Sequence, residues 1–471
     1  MTRSQTLPSL PVASVATAAV LSAALVGVGL AASVALGLGV LIALCYAPLV
    51  FLNLPLALAL WVPLIFFQAV PALNLGGEAA GLVIAFGWLG TLRSQETTEV
   101  LVRHRRLLGV LALLIVWLTL SLLWADDLEL AREDLWQWYA IALLFAIVMT
   151  TMTSARAIQV FVGLFVVGLF ASVAIDFVST DVVTSTGADA RLEGSAGDPN
   201  FLAAMIVVAV VLGLGLAAAT RNAPLRLALV AAVIFLSVAF VSTGSRGGFV
   251  AALLTAVAAL VVFRGRRVYV VAVLLVVVGI GVPLLAASPD TWDRLTHYDD
   301  GGSGRVDLWT AGWRMAQDHP VAGVGFNNFR AVSSDYTREP GALERVEFIV
   351  DRPHVVHNTY LQLLAENGVI GLLLFVAFVV GCTRAALLAA KRFEERGDRS
   401  MGTLARAVLV ACVAMLGAAL FLSAAVDQRL WVLLALGPGL LAAAHRSPAA
   451  TASPTSSVRA APSGLRSGFR S

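Results

Sequence analysis

Apolar residues dominate this chain in long runs, and polar residues gather in the stretches between them. A helix needs about 20 apolar residues to cross a bilayer. Measured that way, seven spans are expected near 12–30, 32–51, 53–71, 77–92, 107–124, 135–152 and 157–177. Seven more are expected near 200–218, 225–242, 246–263, 267–287, 358–382, 404–424 and 427–445. The first three are closely spaced and 77–92 is short. The fold class is therefore an all-α polytopic membrane protein of about 12–14 transmembrane helices. The start, MTRSQTLPSLPVAS, leads into an apolar run with more spans directly behind it, so it reads as a retained first helix and not a cleaved signal.

The pattern divides the chain into five parts. Residues 1–177 hold the N-terminal spans, and 178–287 hold central spans with arginine motifs at one end. Residues 288–357 form a large loop, 358–445 the C-terminal spans, and 446–471 a tail rich in Ala, Ser, Pro and Arg, expected to be disordered. Composition agrees. Of 471 residues, 59% are hydrophobic and 13% charged, whereas a soluble protein has about 45–50% apolar and about 25% charged residues. A soluble domain with a single anchor is excluded. Cys45, Cys382 and Cys412 lie in or beside apolar runs, so neither a disulfide framework nor a CxxC metal signature is present. No P-loop occurs, and no partner nucleic acid is expected.

The net charge of +3 matters less than where the charges fall. With fourteen spans, Arg103/Arg105/Arg106, Arg221/Arg226, Arg264/Arg266/Arg267, Lys391/Arg392/Arg396/Arg399 and the arginines of the tail share one side. Basic clusters beside spans favour the cytoplasm. Both termini are then cytoplasmic, and ADDLELARED (125–134), 178–199 and the large loop face outward.

Four polar groups collect on that outer side: RLEGSAGDPN (191–200), STGSRGG (242–248), the loop 288–357 ending in DRPHVVHN, and Asp427 with Arg429. Spans beginning near 200, 246 and 358 all start there. Their starts carry capping chemistry in Asp198-Pro199, in Ser245 before Arg246, and in Asp351 with Pro353. Helix N-termini offer unpaired N–H groups and partial positive charge. With Arg191, Arg246 and Arg352 beside them, three converging ends would form an anion site. Each arginine could equally snorkel to lipid headgroups. In RVDLWTAGWRMAQ, Val306, Trp309 and Trp313 recur at helical spacing. They suggest either a helix in the membrane interface or a loop packed on the bundle, with Arg305 just before that face.

His354 and His357 can share a helix face. A metal pair, a general base and plain structural hydrogen bonding are all open readings. Glu366, a carboxylate within a span, marks function or a buried partner. Asp427 could simply cap a helix. Several arginines without a P-loop favour a phosphate-bearing ligand handled without nucleotide hydrolysis. A pyrophosphate held by guanidinium groups would also be a good leaving group.

Four segments together resemble the O-antigen ligase/polymerase family of bacterial membrane glycosyltransferases. They are RLEGSAGDPNFLAAM (191–205), STGSRGGFVAALL (242–254), GRVDLWTAGWRMAQDHPVAGVGFNNF (304–329) and HNTYLQLLAENGVIGLLLF (357–375). The likeness covers about 185 to 445 and is carried most by hPxxGVGxxxF combined with HNxxLxxxxExGxxG. It implies a fold similar to the C-type glycosyltransferases, with a large extracytoplasmic loop, in the bacterial inner membrane. It implies an undecaprenyl-diphosphate-linked glycan donor, a glycan, lipid or protein acceptor, inversion at the anomeric carbon, and no metal or cofactor. By motif, Arg191 and Arg246 resemble diphosphate-binding residues, with Arg305 and Arg352 as further candidates. His357 resembles the base, with His354 and Arg352 helping it; Glu366 is a further catalytic candidate that could orient a neighbouring span, pair with an arginine or help hold the substrate. Asp198, Asn200, Ser245, Asn358 and, more loosely, Asp427 would support the site. The rival reading is a membrane transporter of a small anion such as bicarbonate.

Overall fold

The structure, a computed structural model, describes residues 44, 46–178, 192–194, 197–286, 292, 305–337 and 355–446. The expected first span, most of the second, and the tail lie outside the described residues. Among the described residues every regular element is helical, and nine helices are long and apolar enough to cross a membrane. The chain is an all-α polytopic membrane protein.

The elements are α1 (Leu54–Trp61), α2 (Pro71–Thr91), α3 (Gln95–Arg103), α4 (Arg105–Leu120), α5 (Leu128–Thr151) and α6 (Ala155–Val178). Then follow α7 (Pro199–Ala219), α8 (Ala223–Ser242), α9 (Arg246–Val262) and α10 (Arg267–Ala286). Last come α11 (Arg305–Asp318) in the large loop, α12 (Thr359–Glu395), α13 (Arg399–Ala418) and α14 (Gln428–Arg446). The expected span 53–71 is shorter than foreseen. Pro63, which lacks an N–H, sits in a 3₁₀ turn over Val62–Phe66 that ends the helix early. The amphipathic α3, capped by Ser94, was not foreseen, because its charged residues read as loop.

The last helix is the centre of the bundle. Every residue of α14 from Arg429 to Ala444 is buried. It packs against α12, α5 and α13, while α7 lies along α13. Trp431 of α14 stacks on Phe378 at 5.1 Å and meets the rings of Trp138 and Phe145 edge-on. Among lipid-like side chains, such close packing replaces the hydrophobic effect as the glue between helices. At the rim, α10 has none of its apolar window buried, against 78% for α13.

Polar side chains sort to opposite ends of the bundle. At one end, Arg406 clasps Glu394 and the Val262 carbonyl, Arg266 donates to Thr403, and Arg392 meets His445 at 2.9 Å. Arg446 reaches Glu96 and Thr153 there too. Asp198, Ser245, Asn358 and the motif loop lie at the other end.

That other end is organised by a break in α12. At 37 residues, α12 would run about 56 Å if straight. It kinks at Gly368, whose φ is +66 and whose ψ is non-helical. The kink frees the carbonyls of residues 365–367. Val324 N–H takes Ala365 O at 3.0 Å, and Gly325 N–H takes Glu366 O at 2.9 Å. Trp117 Nε1 donates to Asn367 O at 3.0 Å, and Val369 N–H turns to Pro320 O at 2.9 Å. A buried carbonyl left without a donor would cost about 1–3 kcal/mol, so the loop 320–325 and the kink stabilise each other. Gly323 (φ +70) and Gly368 face one another's backbones: a Cβ on Gly323 would overlap Glu366, and one on Gly368 would overlap Val321.

Gly323→Ala and Gly368→Ala should each destabilise the fold by upward of about 2 kcal/mol, since positive φ and backbone overlap act together. Gly109→Ala, in open space within α4, should be neutral or stabilising by up to about 1 kcal/mol. Thermal unfolding of the three variants in one detergent checks both statements.

Candidate functional site

The site is assembled from helix starts at the end opposite the basic clasps. Asp198 caps α7, accepting from Asn200 N at 2.6 Å and Phe201 N at 3.3 Å, with Pro199 in the first turn. Ser245 caps α9 by accepting from Gly248 N at 3.0 Å. The two caps are joined: Ser245 Oγ donates to Asn200 Oδ1 at 2.8 Å. Asn358 caps α12 by accepting from Tyr360 N and Leu361 N, each at 3.1 Å. The sequence-predicted caps at Asp198 and Ser245 form as expected, whereas α12 starts later than the capping chemistry expected at Asp351 with Pro353, and its cap is Asn358. Asp351, Arg191, Arg352 and His354 lie outside the described residues.

The start of α12 meets the end of α13. Thr359 N–H donates to Ala419 O at 2.9 Å and Leu422 O at 3.0 Å, and its hydroxyl donates to Leu422 O at 2.6 Å. Ala424 N–H in turn donates to Thr359 Oγ1 at 2.8 Å, and Tyr360 OH reaches Leu416 O at 2.7 Å. Orphan carbonyls at a helix end are thereby satisfied by the start of the next helix. His357, two residues earlier, has φ +52, which is uncommon outside glycine and stores local strain.

The loop helix α11 completes the enclosure. Its buried face is Asp307, Leu308, Ala311, Gly312, Met315 and Ala316. Leu308, Ala311 and Met315 pack with Val356, Ala365 and Leu361. Val306 and Trp313 remain exposed, so the sequence-predicted tryptophan face splits. Trp309 turns inward, donating from Nε1 to Val356 O at 3.0 Å, beside His357, while its ring lies 6.1 Å from Phe421. Phe421 also abuts Gly247, next to Arg246: a Cβ on that glycine would lie 3.0 Å from the Phe421 Cβ. One chain of contact therefore links the start of α9, the α13–α14 connection, α11 and the turn of His357. Arg305 opens α11, and burial lowers its guanidinium pKa while Asp198 opposes that shift. The α7 cap and the loop arginine therefore share one neighbourhood. Arg246 is exposed at the same end.

Glu366 sits elsewhere, under the kink. Its carboxylate is buried and accepts from Gln362 Nε2 at 3.3 Å and from the backbone N–H groups of Asn327 and Phe329. Those residues belong to a loop stitched to the α4–α5 connection. Asn327 Nδ2 donates to Asp134 at 2.9 Å, Asp127 N–H donates to Asn328 Oδ1 at 2.7 Å, and Phe326 N–H donates to Ser121 Oγ at 3.1 Å.

Asp427 at the start of α14 is fully engaged by Arg429, with the closest pairing at 2.6 Å. The sequence gives Arg429, Thr359 and Asn327 no specific part, and places Trp309 only on a helical face. Their partners lie far along the chain, and only the adjacency of Asp427 and Arg429 was legible. A mainly apolar groove lies between α1, α2 and α5, with Gln68, Asn74, Glu78 and Gln428 among its lining residues.

Residues 231–376 match a protein-family model described as O-antigen ligase. A search of curated proteins finds no match. The matched stretch begins in α8 and covers Ser245, Arg246, Arg305, the loop of Gly323, His357, Asn358 and Glu366. The family's role is glycan transfer in the membrane during polysaccharide assembly, with lipid-linked glycans as substrates. By this match, the stretch from α8 into α12 of this all-α, multi-pass chain is similar to the O-antigen ligase family.

Proposed function

We propose that the chain is an inverting glycosyltransferase that moves a glycan from an undecaprenyl-diphosphate-type lipid to an acceptor hydroxyl at the extracytoplasmic face of the inner membrane. The observation that carries this is the convergence of three capped helix starts, Arg246 and Arg305 with the turn of His357. Helix N-termini and guanidinium groups are the two protein devices best suited to a polyanion. The end with the basic clasps is then cytoplasmic, as its arginines favour.

In the proposed step the acceptor oxygen attacks the anomeric carbon from the face opposite the diphosphate. His357 takes the hydroxyl proton as the new C–O bond forms. The bond from carbon to diphosphate oxygen breaks, and its electron pair leaves with the lipid diphosphate. Arg246, Arg305 and the helix starts stabilise that charge as it develops, which is where fixed donors contribute most. Arg191, Arg352 and His354 are proposed neighbours on the strength of the motif alone. Asp198, Asn200, Ser245 and Asn358 hold the helix starts in place. We assign Glu366 a positioning part: it ties the loop of Asn327 and Phe329 to the α12 segment that follows His357. The strained His357 backbone fits a side chain held for chemistry.

His357→Gln should lower glycan transfer by about 10²–10⁴-fold, the range for loss of a general base, with little change in thermal stability. Glu366→Gln should lower transfer and stability together, because it disturbs the loop. Transfer from a lipid-linked oligosaccharide in nanodiscs, with melting curves for each variant, separates the two; normal transfer by His357→Gln would remove the base from the scheme. Arg246→Ala should raise the KM for the lipid donor at least about tenfold while leaving the acceptor KM near normal. Equal losses for both substrates would count against diphosphate binding.

A further inference from the structure

The start of α14 lies beyond the residues matched by the family model. The connection leading to it, residues 419–427, is held by Thr359 through Ala419, Leu422 and Ala424. It is thereby tied to the turn of His357. At its end Asp427 accepts from the backbone N–H groups of Arg429 at 2.9 Å and Leu430 at 3.3 Å. The same carboxylate takes Arg429 Nε at 3.1 Å to both oxygens and Nη2 at 2.6 Å. Both side chains are almost closed to solvent, at 6% and 8% exposure. The guanidinium carbon lies 5.3 Å from the ring centroid of Phe201, in the first turn of α7.

A guanidinium is a rigid plane with five N–H groups. Fixing its Nε/Nη2 edge on a carboxylate and its face over a ring fixes the direction of Nη1 as well. Arg429 Nη1 is buried and finds no acceptor among the described residues. Ser423 Oγ, between the two residues that bond Thr359, is likewise buried without a partner. Buried donors are nearly always paired, and exceptions in native proteins call for an explanation such as a bound group or water. Here two unsatisfied polar groups, one on the connection and one in the first turn of α14, lie between the α7 start and the turn of His357.

We propose that Arg429 is a further substrate-binding residue: its Nη1 donates to a phosphate oxygen of the lipid-linked donor, and Asp427 is the positioning residue that aims it. This rests on the diphosphate reading above and extends it to the last helix. Asp427 offsets the formal charge of Arg429, so the pair supplies a directed donor more than a long-range attraction. That donor complements Arg246, which is exposed at the same end. The pair also stays assembled when the donor leaves, because its two members hold each other.

The test uses the full chain in nanodiscs, with inorganic pyrophosphate and farnesyl diphosphate as binding probes. Arg429→Gln alone leaves Asp427 uncompensated and can unfold the chain. The double variant Asp427→Asn/Arg429→Gln keeps a neutral hydrogen-bonding pair, and Arg429→Lys keeps the charge without the fixed third nitrogen. Both should bind the probes about 10- to 100-fold more weakly, the loss expected for one hydrogen bond to a charged group. In transfer assays the donor KM should rise while the acceptor KM holds. If both variants bind the probes as the parent does while Arg246→Gln loses them, Nη1 is served by water alone and the proposal falls. If Arg246→Gln also binds normally, the diphosphate reading itself falls.

Discussion

A membrane helix that breaks its own hydrogen-bond ladder must find partners for the groups it releases, because lipid offers none. In this chain that constraint falls on α12 at Gly368. The loop of residues 320–325 meets it with two N–H groups and one carbonyl, and Trp117 of α4 adds a third donor. The rest of the polar end depends on that exchange. It docks the loop that carries α11 onto the bundle, and α11 brings Arg305 and Trp309 toward the starts of α7, α9 and α12. Glu366, buried beneath, ties the same loop by a second route. Break and patch therefore act as one joint.

This joint also accounts for the two sequence motifs that together carry the resemblance to O-antigen ligases. In hPxxGVGxxxF, Pro320 supplies a carbonyl, Gly323 the close approach, and Val324 and Gly325 the N–H groups. In HNxxLxxxxExGxxG, Asn358 caps the helix, Glu366 receives the loop, and Gly368 makes the kink. Each motif is half of an interface, which is why either alone is a weak signal.

Much of the fold was legible in the sequence because span length and charge sorting are one-dimensional. The α7 and α9 starts were readable from Asp198 and Ser245 because caps are local, while the α12 start fell at Asn358 and not at the expected Asp351 with Pro353. What stayed hidden was pairing across distance. Nothing near Thr359 announces that its hydroxyl binds Leu422 and Ala424, and nothing near Asn327 points to Asp134. The short first helix was misjudged because the run 53–71 is apolar throughout, yet Pro63 divides it. Asp427 was read as a cap, which it is, but its ion pair with Arg429 requires knowing that both side chains are buried.

In the proposed scheme one polar end gathers helix starts, arginines and an imidazole around a departing diphosphate. The most direct measurement is an electron cryomicroscopy structure of the chain in a nanodisc with a non-transferable lipid-diphosphate glycan. The account predicts phosphate density between Arg246 and Arg305, with the anomeric carbon facing His357. Phosphates seated at the basic end beside Arg392 and Arg446, or on a surface apart from His357, would contradict it.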